Sequence, residues 1–97
     1  MNNFRTFQAA VEFYRLSKTL PLRGTLKEQF SRAAPSIALN LAEARGRSTQ
    51  RDQMKFFHVA FGSARECQAI LILAELEGTQ AWEALDKLLA HLYKLIH

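Results

Sequence analysis

Three histidines, one cysteine, a few serines and a run of arginines are the residues whose types could do chemistry in this chain. His58, His91 and His97 make no HxxxH or HExxH pair, and none has a ligand spacing with Cys67. Zinc needs three or four converging ligands, so a metal site is not expected. His58 follows Phe57 and reads as a residue at a helix boundary. Cys67 falls on an apolar stripe and reads as a buried, inert thiol. As the single cysteine it forms no internal disulfide, which fits a reducing compartment. Ser63 lies in Phe61-Gly62-Ser63-Ala64-Arg65, which lacks the strand-to-helix elbow of a nucleophilic serine. The four glycines are scattered and cradle no phosphate. The expectation is a protein with no catalytic site, metal or cofactor.

The arginines carry the stronger signal. Arg45, Arg47, Arg51 and Lys55 sit within eleven residues. Arg51 and Lys55 have the i, i+4 spacing at which like charges repel on a helix, and a bound anion relieves that repulsion. Residues 1–65 hold eleven Lys/Arg against Glu12, Glu28, Glu43 and Asp52, a net of +7. Residues 66–97 hold Lys87 and Lys94 against Glu66, Glu75, Glu77, Glu83 and Asp86, a net of −3. This asymmetry points to an anionic partner. The bland reading is a solvated cluster that keeps a basic protein soluble.

Four segments with helix periodicity must position these residues, about 3–20, 25–45, 49–77 and 80–96. The first carries Phe7, Ala10, Val11, Tyr14 and Leu16 near one face, and Pro21 stops it. The second opens on Thr25 and Glu28 at capping-box spacing and carries Leu26, Phe30, Ala33, Ile37, Leu41 and Ala44. Pro35 either breaks this stretch into two helices or kinks one, and the stripe that continues in phase across it favours one kinked helix. Gly46 suits a left-handed residue just past its end. Thr49 with Asp52 caps the third, whose stripe is Phe57, Ala60, Ala64, Cys67, Leu71 and Ala74. Gly78 ends it, and Thr79 caps the fourth, with Trp82, Leu85, Leu89, Leu92 and Ile96.

With 97 residues, 48% of them hydrophobic, the chain suffices for one core and one domain. Short links make neighbouring helices antiparallel, so the expected fold is all-α, an up-down-up-down four-helix bundle. The second turn then shares an end with Arg5 and Lys94, and the N–H groups opening the third helix add favourable dipole there. Nothing in Met1-Asn2-Asn3-Phe4-Arg5 marks export, and no apolar run reaches a membrane span, so a cytoplasmic chain is expected.

The third helix is apolar nearly all round from Cys67 to Ala74. One bundle core needs a single stripe, so the surplus predicts a homo-oligomer in which small Gly62, Ser63 and Ala64 admit another helix. The alternative is a kinked second helix that covers more of it. Asn40 beside the second stripe and Glu43 one turn later offer a polar site between subunits, or only a boundary residue and a surface Glu43–Arg47 pair.

Two strings, Gln29-Phe30-Ser31-Arg32-Ala33-Ala34-Pro35-Ser36-Ile37-Ala38-Leu39-Asn40-Leu41-Ala42-Glu43 and Phe56-Phe57-His58-Val59-Ala60-Phe61-Gly62-Ser63-Ala64-Arg65-Glu66-Cys67, resemble the four-helix-bundle family named after the 23S rRNA intervening-sequence protein. That family is related in fold to the accessory variability protein of diversity-generating retroelements. The resemblance runs from about Phe7 to Leu92. It implies a homopentameric barrel, no enzymatic activity and association with RNA or with a reverse transcriptase. It marks Arg32, Asn40, Glu43, Gly62, Ser63 and Glu66 as motif positions without giving them roles. Where the family reads Asn-Ile-Ala-Glu-Gly, this chain has Asn40-Leu41-Ala42-Glu43-Ala44, so the helix runs on toward Gly46.

The functional expectation is a non-enzymatic, homo-oligomeric nucleic-acid-binding protein. Arg45, Arg47, Arg51 and Lys55, supported by Arg5 and Lys94, would contact the phosphates of structured RNA. The alternative is a scaffold for another protein, such as a reverse transcriptase, with nucleic acid incidental.

Overall fold

The computed structural model describes residues 3–97, so Met1 and Asn2, part of the stretch read for an export signal, lie outside the described residues. Four helices account for nearly all the regular structure: α1 (Asn3–Ser17), α2 (Gly24–Arg45), α3 (Gln50–Leu73) and α4 (Gln80–Ile96). No strand occurs among the described residues. None of these helices is long and apolar enough to cross a membrane.

The helix boundaries show which local signals act. Thr49 caps α3, its hydroxyl accepting from the Asp52 N–H at 3.2 Å, and Thr79 caps α4 in the same way from the Trp82 N–H. Each satisfies one of the N–H groups that an opening helical turn leaves free. The capping box expected at Thr25 does not form. Arg23 is the N-cap residue, without a side-chain cap, and Gly24 already begins α2 at φ +59°. Only glycine takes that conformation without a steric cost, and it moves the helix start ahead of Thr25. Pro35 lies inside an unbroken α2, as its in-phase stripe predicts.

Two helix ends differ from expectation. α1 stops at Ser17, three residues short of Leu20. Its hydrogen bonds tighten there to i→i−3, from Lys18 to Arg15 and from Leu20 to Ser17, while the Ser17 hydroxyl donates to the Tyr14 carbonyl. α3 ends at Leu73, well before Gly78. Glu75 takes a left-handed φ of 58° just past Ala74. Its N–H bonds to the Ile72 carbonyl at 3.0 Å, and the Leu76 N–H to the Leu71 carbonyl at 2.8 Å. This is the Schellman pattern, built on a glutamate where glycine is usual. Gly46, expected left-handed, sits at φ −85° and bonds its N–H to the Glu43 carbonyl instead.

Each helix packs on its neighbours in sequence and α4 packs on α1, while the pairs α1/α3 and α2/α4 do not approach. Phe13, Ile37, Leu41, Leu71, Leu85, Leu88 and Leu92 fill the centre. The stripes of α2 and α3 are buried as read, apart from their end residues Leu26 and Ala74, which are half-buried. In α4, Leu88 and Leu95 are buried, whereas Leu89 and Ile96 lie at the edge.

The face of α1 differs most. Its buried residues are Thr6, Ala9, Ala10, Phe13 and Ser17, so of the stripe read from sequence only Ala10 is enclosed. Tyr14 is exposed and Phe7, Val11 and Leu16 are half-buried. Small side chains let α1 sit close to its neighbours, and Phe13 supplies the one large group. Its ring meets Phe30 edge-to-face at 6.0 Å between centroids, an arrangement worth about 0.5–1.5 kcal/mol beyond area burial.

Candidate nucleic-acid interface

The turn between α2 and α3 is held from within. The Arg47 guanidinium donates to the Glu43 carboxylate at 2.7 Å, and the Gln53 amide donates to the Arg47 carbonyl at 3.2 Å. The Arg47–Glu43 pair is the i, i+4 surface bridge read from sequence, with both side chains about half exposed (42% and 53%). Water and salt compete at that exposure, so the pair adds little stability.

Two phenylalanines organise the cations around this turn. The Arg47 guanidinium lies 4.8 Å from the centroid of the Phe56 ring, and the Lys55 ammonium lies 5.8 Å from the same centroid. The Arg45 guanidinium lies 5.0 Å over Phe4, at the start of α1. A ring face attracts a cation and leaves its N–H groups free to point outward. Arg45, Arg47 and Lys55 are therefore brought together at one end of the bundle. Arg51 is exposed one turn before Lys55.

The supporting residues are placed differently. Arg5 lines a groove between α1 and α4 with Gln8, Ala9, Glu12, Lys87 and His91, on the flank rather than at the turn. Lys94 is exposed in the last turn of α4. Among the described residues, no hydrogen bond or ring contact ties it to the α2–α3 turn.

The motif residues form a second, polar locus between α2 and α3. The Asn40 amide donates to the Ser36 carbonyl at 2.8 Å and to its hydroxyl at 3.0 Å. The Ser36 and Ser63 hydroxyls meet at 2.9 Å. Arg32, Ser63 and Glu66 line one open concavity with Gln29, Ala33 and Ser36. Gly62 adjoins it, and a methyl group there would meet nothing within 4 Å. Glu43 stands apart, on Arg47. Of the six motif residues, three thus share a surface and Asn40 braces it through Ser36.

Sequence reading missed Ser36, Phe4, Phe56 and Gln53. Ser36 lies one helical turn before Asn40, and that spacing was the available signal. Phe4 and Phe56 read as ordinary apolar residues, because their role depends on which cations the fold sets over them.

Cys67 is fully buried. Burial, with the charge of Glu66 as a smaller contribution, pushes its thiol from the ordinary 9.0 up to about 12. The reactive thiolate is thereby suppressed. Among the described residues, no three His, Cys, Asp or Glu side chains gather as a metal-ligand set.

No curated protein and no solved structure matches the chain. The family model described as 23S rRNA-intervening sequence protein matches residues 4–97, nearly the whole length and including both motif strings. With four helices in the structure and that match across them, the chain belongs to the 23S rRNA-intervening sequence protein family.

Proposed function

We propose that this protein is a non-enzymatic, cytoplasmic, homo-oligomeric RNA-binding protein that holds phosphates at the end of the bundle carrying the α2–α3 turn. The convergence of Arg45, Arg47 and Lys55 on Phe4 and Phe56, with Arg51 exposed beside them, carries this reading. Such a set gives salt-sensitive affinity that is independent of sequence. The family description points the same way. Ser63 is bonded to Ser36 rather than to a base and Cys67 is sealed, which favours a binding role over catalysis.

An up-down-up-down topology is supported by the pairings along the helices. Phe4 meets Arg45 and Phe13 meets Phe30 across α1 and α2, and Ser36 meets Ser63 across α2 and α3. A homo-oligomeric ring, five-membered by family resemblance, is supported by apolar residues left outside the bundle. Leu73 is 70% exposed, Leu39 66%, and Val59 and Ile72 nearly half. In a ring the positive end repeats and its contacts add by multivalency.

Titrating labelled RNA at several salt concentrations tests the reading, with Arg47→Glu/Arg51→Glu alongside. Micromolar binding that weakens steeply with salt and vanishes in the double variant is expected. No binding even at low salt refutes it, and leaves the exposed apolar surface as a site for a protein such as a reverse transcriptase. Light scattering on a sizing column reads the assembly, and a monomer mass excludes the ring.

A further inference from the structure

The positive end is not only positive. Phe4 keeps 46% of its surface in solvent and Tyr93 keeps 55%, and both are aromatic. Tyr93 lies in the last turns of α4, stacked on His97 with ring centroids 4.1 Å apart and planes 27° from parallel. Arg5, next to Phe4, shares its groove with His91. The last turns of α4 therefore lie at the same end as Phe4, Arg45 and the α2–α3 turn.

Cations alone bind any phosphate chain, duplex or single strand. Exposed rings among them add a different chemistry. In a duplex the base faces are covered by their neighbours, so a protein ring finds nothing to stack on. An unpaired nucleotide offers its face to aromatic side chains and to arginine planes. Here the Arg45 guanidinium already lies over Phe4 at 5.0 Å, and Tyr93 is already part of a stack. Both rings are held by neighbours, so little ordering remains when a base arrives.

We propose that this end of the bundle takes unpaired nucleotides, with the phosphates on Arg45 and the neighbouring cations and the bases stacked on Phe4 and Tyr93. The proposal rests on the RNA-binding reading above and specifies the form of nucleic acid that the same end selects. Single-stranded loops and ends of a folded RNA would enter, and its helical stems would be held by charge alone.

The experiment compares a short labelled oligouridylate with a blunt RNA duplex of the same length, by fluorescence anisotropy at several salt concentrations. The full chain and the Tyr93→Leu variant are both titrated, with Phe4 kept because its ring holds Arg45. Leucine keeps the apolar bulk and removes the ring face, and circular dichroism checks that the variant folds. The wild type is expected to bind the single strand more tightly than the duplex. The variant is expected to lose about tenfold in single-strand affinity, with duplex affinity and salt slope unchanged. Equal affinity of the wild type for the two forms overturns the proposal while leaving RNA binding intact. So does single-strand affinity that the variant keeps undiminished. Failure of the wild type to bind either form removes the RNA-binding reading itself, and this proposal with it.

Discussion

Glu43 competes with any phosphate for Arg47. The two side chains meet at 2.7 Å in solvent, so an incoming anion must displace the carboxylate or share the guanidinium with it. Glu43→Gln removes that competition and adds to the positive end. RNA affinity should rise about twofold to fivefold, the scale of one exposed ion pair, and filter binding at low salt would read it. An unchanged or weaker affinity would place the RNA away from Arg47. Cys67 makes a prediction of the opposite kind, since nothing reaches it. Its folded pKa is raised to about 12, so the unfolded chain loses the thiol proton first as pH climbs. The stabilisation is whole below pH ~9 and is lost as pH rises toward 12. Urea melts across roughly pH 8 to 11 should show Cys67→Ala declining less steeply than the parent. The residue types of the positive end were legible because charge clusters show in a linear chain. The rings beneath them were not, because a ring becomes a platform only when the fold supplies its cation.

Helix caps were legible wherever the capping residue sits at the boundary itself. Thr49 and Thr79 both do. Thr25 has the same spacing to a glutamate, but Gly24 can take a left-handed φ and the helix starts ahead of it. The end of α3 shows the converse. Gly78 looks like the natural stop, yet the left-handed position falls on Glu75, because Leu76 must turn back onto Leu71 and the core. An L-residue there carries a steric cost that glycine lacks. Glu75→Gly should therefore stabilise the fold by up to about 1 kcal/mol, raising Tm by roughly 4–8 °C for a domain this small. A lower Tm in a calorimetric scan would mean that the glutamate side chain contributes more than its backbone costs. The face of α1 was misread for a related reason. Counting apolar residues finds Phe7, Ala10, Val11, Tyr14 and Leu16, while close packing selected Thr6, Ala9 and Ser17 around Phe13 and kept only Ala10 of that stripe.

At the scale of the molecule, the division into four helices was legible because prolines, capping threonines and in-phase stripes agree with one another. The positions of the charges relative to one another were legible only in part. Arg45, Arg47 and Lys55 are joined by a turn of few residues, so chain proximity sufficed to place them together. Arg5 depends on how α1 is rotated about its own axis, and that rotation puts it in the α1–α4 groove. The surplus of apolar residues on α3 was visible in composition, and it remains outside the bundle as Ile72 and Leu73.

The narrow, small-residue face of α1 has a consequence for motion. One phenylalanine is the only large side chain that α1 commits to the centre. Buried apolar area sets the free energy of local opening, so α1 is the segment that detaches most cheaply. Its amides should exchange with deuterium through a partial opening, at lower protection than those flanking Leu41 and Leu71. Phe13→Ala should widen the gap, and uniform protection across all four helices would argue against it. Because Phe4 travels with α1 and holds Arg45, each such opening would also take apart one side of the positive end. Bound RNA would then slow exchange in a helix that supplies few of the cations it rests on.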